Sequence, residues 1–112
     1  MTKASKTSAN KKPAARGRKR TSKVSEILIY RDKYIVVDTN SYFIYIGKLQ
    51  EVSEGFVTLK DADVHDCRES PSMNEKYILD SKKYGVRSNR KLVHIRLGEV
   101  ISVSLLDDVI EY

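Results

Sequence analysis

From Tyr34 onward the sequence is a succession of short apolar, β-branched runs, each ended by turn residues, and the longest carries a glycine in its middle. Runs this short cannot make core helices, and their alternation is too regular for loops, so they read as strands of one small antiparallel sheet. Tyr34-Ile35-Val36-Val37 is the first run, and Asp38-Thr39-Asn40-Ser41 supplies the turn that follows. Tyr42 to Val52 is a second, longer strand. Ser53-Glu54-Gly55 is short enough for a hairpin, with Gly55 able to take a positive φ. Phe56-Val57-Thr58-Leu59 opens the third strand, which runs toward Val64. Gly47, inside the second strand, predicts a bulge or sharp bend, the device that lets a small sheet curl on itself.

The period then changes. Ser72-Met73-Asn74-Glu75 has the form of a capping box, and Lys82, Lys83 and Gly85 supply the end signals of a helix over about 73–84. Met73, Tyr77 and Tyr84, with Ile78 beside them, form the stripe expected to pack on the sheet. Strand periodicity returns at Leu92–Leu97, with Val93, Ile95 and Leu97 on one face and His94 and Arg96 on the other. Gly98-Glu99 is a turn. Val100–Leu105 follows, with Ile101, Val103 and Leu105 expected inward and Ser102 and Ser104 outward. Val109–Tyr112 is expected to close the sheet as a last short strand, and residues 24–33 fit a short helix or a strand equally. The fold class is mainly β: a small SH3-like bent-sheet barrel of about five to six antiparallel strands with one inserted helix.

Two stretches sharpen this. Ile46-Gly47-Lys48-Leu49-Gln50-Glu51-Val52, followed by Leu59-Lys60-Asp61-Ala62, resembles the first motif of the Sm/LSm family. Ile95-Arg96-Leu97-Gly98-Glu99-Val100 resembles the second, in which Arg and Gly are adjacent; here Leu97 separates them. The body also resembles an uncharacterised bacterial family of single-domain Sm-like proteins, through Leu59–Asp66 and Ser104–Ile110. The resemblance implies RNA binding and a ring built by pairing the fourth strand of one copy with the fifth of the next. It also implies an Asp and an Asn that read a base in the loop after the second strand. Ser53-Glu54-Gly55-Phe56-Val57 has neither, so Arg96 is the residue that transfers as a candidate RNA contact. Phe56 reads first as core and second as a stacking face. The family pattern has only a loop where this chain places its helix.

Charge divides the 112 residues in two. Residues 1–23 hold nine basic side chains and no acid, whereas 24–112 hold 12 basic and 15 acidic ones. The first segment has no Val, Ile, Leu, Phe or Tyr and is broken by Pro13 and Gly17, so it is expected to be a disordered tail on a single domain, 24–112. Its charge suits phosphates, which it would bind with little sequence preference and strong salt dependence. Arg16-Gly17-Arg18 resembles the core of an AT-hook, with Lys19 where that pattern continues with proline. The expected nucleic-acid contacts are Arg16, Arg18, Lys19 and Arg20, then Arg87, Arg90, Lys91 and Arg96, with RNA ahead of DNA as the partner. The alternative is a protein-interaction module with an incidental tail, favoured by the acidic body and the missing base-reading pair.

Little chemistry is legible beyond binding. One cysteine, Cys67, excludes an internal disulfide and fits a reducing, cytoplasmic setting. No apolar run reaches membrane-spanning length, and the basic tail is followed by no signal-like apolar segment. The tail matches a mitochondrial presequence in charge but lacks an apolar face. His65-Asp66-Cys67 lacks the paired spacing of a zinc site. Asp107-Asp108 reads as a turn, and no phosphate-cradling glycine loop occurs. No cofactor, metal or catalysis is expected.

Overall fold

The computed structural model describes residues 26–68 and 74–111. Five strands form one antiparallel sheet: β1 (Tyr34–Thr39), β2 (Phe43–Val52), β3 (Phe56–Asp66), β4 (Arg90–Arg96) and β5 (Val100–Leu105). Their spatial order is β4-β3-β2-β1-β5, and a helix, α1 (Asn74–Tyr84), is inserted between β3 and β4. The expected tail and the capping residues Ser72 and Met73 lie outside the described residues.

The sheet is strongly bent, and the bend is written at two positions. Register shifts between Ile46 and Lys48, opposite Asp63 and Lys60, leaving an extra residue on β3. Asp61 absorbs it with a positive φ of 50°, a conformation short polar side chains tolerate. Gly47 faces this point so closely that a Cβ added to it would lie 2.9 Å from the Cβ of Ala62. Gly55, by contrast, adopts no left-handed conformation; the hairpin closes through Ser53 N–H donating to Phe56 O at 2.9 Å.

Bending gives the sheet two cores. The inner one holds Ile35, Val37, Leu49, Val52, Val57, Leu59, Ala62 and Ile95. Ile27 and Leu28, in a helical turn at 26–28, and Tyr30 just after it pack against this core; the described part of the segment 24–33 is thus helix and turn, not strand. The other core, around Val36, Ile44, Ile46 and Leu106, lies on the opposite side of β1 and β2, where alternation turns successive side chains to opposite faces. Helix α1 covers it.

The helix buries Ser81 and partly buries Tyr77 and Ile78, whereas Tyr84 is 81% exposed. The expected stripe is therefore shorter: Tyr84 is the last helical residue, and Gly85 (φ 101°) turns the chain away immediately after it. Two further expectations fail. A bulge in the β1–β5 ladder, where Asp38 pairs with Ser102 but Thr39 with Val100, skips Ile101. Val100 is thereby packed against the inner core and Ile101 is left 69% exposed. Residues 109–111, the described part of the expected last strand, form no strand, because a 3-10 turn at Leu106–Asp108 buries Leu106 and leads the chain off β5 toward α1. Val109 packs into the core under the helix, Lys82 Nζ donates to its carbonyl at 2.5 Å, and Lys83 pairs with Glu111 at 2.9 Å.

Candidate nucleic-acid interface

Two hydrogen bonds assemble the end of the barrel where the sequence motifs converge. Leu97 N–H donates to Gly55 O at 2.9 Å, joining the β2–β3 hairpin to the 3-10 turn Leu97–Glu99. Asn40 N–H donates to Glu99 O at 2.7 Å, bringing in the β1–β2 turn. Three connections far apart in sequence thus share one rim.

The outer face of the β3–β4 pair runs up to this rim. Phe56 lies opposite Arg96 and Thr58 opposite His94. His94 is held twice: its Nδ1 is 2.9 Å from Thr58 Oγ1, and its ring meets Phe56 edge-on at 6.3 Å between centroids. Phe56 is 44% exposed and is not a core residue; its register opposite Arg96, on the polar face of β4, turns it outward. Beside it, Thr39, Ser41, Phe43, Tyr45, His94 and Arg96 line a hollow of about 260 Å³ with Glu99 at its margin. Phe43 and Tyr45 stand there as a tilted pair, 6.4 Å apart. Aromatic faces beside a guanidinium are what unstacked bases and their phosphates meet on proteins that bind single strands. The acidic Glu99 limits how much polyanion charge this rim tolerates.

The four basic body residues do not form one patch. Arg96 belongs to the rim. Arg90 begins the same strand six residues away, roughly 20 Å along it, and bonds the Asn89 carbonyl at 3.0 Å. Lys91 is exposed on the alternate face of β4 from Arg96, and Arg87 lines a separate cleft beneath α1. Arg16, Arg18, Lys19 and Arg20 lie outside the described residues. His94, Phe43 and Tyr45 were not singled out from the sequence as site residues. His94 was legible as the companion of Arg96 on the polar face, but Phe43 and Tyr45 have the residue types of any buried strand.

His65-Asp66-Cys67 is divided among different partners. His65 stacks on Tyr77, Asp66 is held by Arg68 at 2.7 Å, and Cys67 is partly buried, where burial and then the carboxylates of Asp38 and Asp66 push its thiol pKa up. Among the described residues no group of three or more His, Cys, Asp or Glu is placed to hold a metal ion. No helix of the described residues is long and apolar enough to cross a membrane.

No family model matches the chain, and no curated protein matches it. Among solved structures it is similar to the Sm protein of Pyrococcus abyssii in complex with a uridine heptamer, with a TM-score of 0.50 and 20% identity over 72% of this chain and 93% of that one. At that identity the likeness speaks for architecture alone, and it agrees with the five-stranded bent sheet: the chain has an Sm-like fold.

Proposed function

We propose that the chain is a non-catalytic, RNA-associated Sm-like module whose basic N-terminal segment contacts phosphates while the barrel rim receives bases. The observation that carries this reading is the hollow where Phe43, Tyr45, His94 and Arg96 meet beside Glu99 of the second motif. Support comes also from the similar archaeal Sm protein, which is in complex with a uridine heptamer. Charge assigns the roles: residues 24–112 carry three more acids than bases, so the nine basic residues of 1–23 supply the general phosphate affinity. Free outer edges at β4 and β5 suit pairing between copies, which would gather several tails and raise their combined affinity.

The test is a salt titration of the full chain with labelled single-stranded RNA and duplex DNA, beside a version with Arg16, Arg18, Lys19 and Arg20 replaced by alanine and another with Arg96→Ala. The tail replacement should weaken binding similarly for all sequences and flatten the salt slope. Arg96→Ala should weaken single-stranded RNA more than duplex DNA. A protein-interaction role is the second reading, favoured by the absence of an Asp–Asn pair from the Ser53–Val57 loop. Absence of RNA binding at moderate salt by the unaltered chain would decide for it.

A further inference from the structure

Away from the barrel rim, an open cleft of about 540 Å³ lies between α1, β3 and the α1–β4 connection. Its volume lies in the range of small-ligand sites. The floor is fixed. Asp63 and His65 pair with Ile46 and Ile44, on the face that the helix covers. Tyr77 comes down from α1 onto both, its ring stacked on His65 at 3.9 Å and 15°, and its hydroxyl donating to Asp63 Oδ2 at 2.9 Å. His65 Nε2 is 3.2 Å from Asn74 Oδ1 at the start of the helix, which locks the imidazole from its far side.

The walls are unfinished. Tyr84 is 81% exposed, and its ring stacks on no aromatic group among the described residues. Arg87 has no carboxylate partner among them, whereas Lys76 is matched by Asp80 at 2.8 Å. Asp63 Oδ1 and His65 Nδ1 carry no hydrogen bond within the described residues, so a fixed acceptor stands at the floor of a cleft with an open aromatic face and one unmatched cation at its lip. A simple polyanion is disfavoured by Asp63 and Asp80, and a purely apolar ligand by the hydrogen-bonding floor. A ring with N–H groups on its edge and a single anionic group fits all three elements.

We propose that this cleft is a nucleotide site: one unstacked base of a single-stranded RNA lies against Tyr84 with its N–H edge toward Asp63, and its phosphate meets Arg87. The site lies on the inserted helix, apart from the barrel rim, and its use by RNA rests on the RNA-associated reading above. It would give a bound strand a second anchor on each copy of the protein.

The test is an amide NMR titration of the full chain with uridine and adenosine monophosphates and with short single-stranded oligoribonucleotides, repeated on Tyr84→Ala and Arg87→Gln. Both side chains are exposed, so these variants should keep the wild-type melting profile. Shifts at residues 63, 65, 77 and 84–87 are expected with both kinds of probe. Tyr84→Ala should weaken oligoribonucleotide binding roughly 5- to 100-fold, and Arg87→Gln should lower the salt slope by about one. Monophosphate shifts in the cleft without oligonucleotide binding would uphold a nucleotide site and remove the RNA reading. Oligonucleotide shifts confined to 53–55 and 97–99, unchanged by Tyr84→Ala, would overturn the cleft and leave that reading intact. A wild-type chain that takes neither probe overturns both.

Discussion

Ala62 fills the space that a side chain on Gly47 would need: a methyl group there would lie 2.9 Å from the Ala62 Cβ and 3.1 Å from the Leu59 Cβ. Both neighbours are fully buried, so neither can swing aside. The close approach lets β2 and β3 bend together at the shift in their register. Gly47→Ala should therefore destabilise the fold by about 1–3 kcal/mol, the range for overpacking a tight core. Ala62→Gly should cost less alone and recover part of the loss in the double variant. Denaturant unfolding of the four proteins measures the coupling, and additive losses would count against a direct clash.

Tyr77 predicts an alkaline signature. Burial first, and then the Asp63 carboxylate that its hydroxyl bonds, push its pKa well above the ordinary 10.0. The folded protein holds this proton more tightly than the unfolded chain. The associated stability is intact below pH 10 and fades as pH rises above it. In absorbance titration, one of the seven tyrosines should resist ionisation until the protein unfolds. Tyr77→Phe should abolish that late step and cost about 1 kcal/mol at neutral pH, because Asp63 loses its donor.

Asn89 replaces a strand residue where β4 has not yet begun. Its side chain accepts from Val64 N–H at 3.0 Å and donates to Val64 O at 3.2 Å, while its backbone N–H donates to Ala62 O at 2.9 Å. Asn89→Ala keeps only the last of these. The Val64 amide should then exchange with solvent at least several-fold faster, with global stability reduced by about 1 kcal/mol. Unchanged exchange at Val64 would show that water replaces the side chain at no cost.

Most of this architecture was legible because local patterning and global fold agree. Tyr34–Val37 reads as a short apolar run, Phe43–Val52 and Val93–Ile95 alternate as half-buried strands do, and Gly47 announced the bulge that the β2–β3 ladder contains. Legibility failed where one residue of slippage reverses a face. Nothing in Val100-Ile101-Ser102 marks the bulge that buries the first and exposes the second. Val109-Ile110 has strand composition, but Lys82 and Lys83 hold that segment against the helix, a long-range pairing that no local pattern encodes. The candidate site was half visible for the same reason. Arg96 followed from a motif, whereas Phe43, Tyr45 and His94 become neighbours only when the bent sheet brings β2 to the end of β4.

The exposed Ile101 leads to the last prediction. It lies on β5, one outer strand of the sheet, and Leu92, 49% exposed, lies on β4, the other. Free edges with apolar side chains invite pairing, and a head-to-tail contact between two different edges closes into a ring when the rotation permits. If β4 of one copy adds to β5 of the next, these two side chains contribute to the apolar part of the contact. Leu92→Asp and Ile101→Asp should each lower the sedimentation coefficient to that of a monomer, while leaving the monomer's own fold intact because both side chains already face solvent. On the RNA-associated reading, affinity for RNA should fall in these variants too, since a lone copy presents one tail. A wild-type chain that sediments as a monomer at high concentration would remove this ring, and the exposed pair would then be left to a different partner.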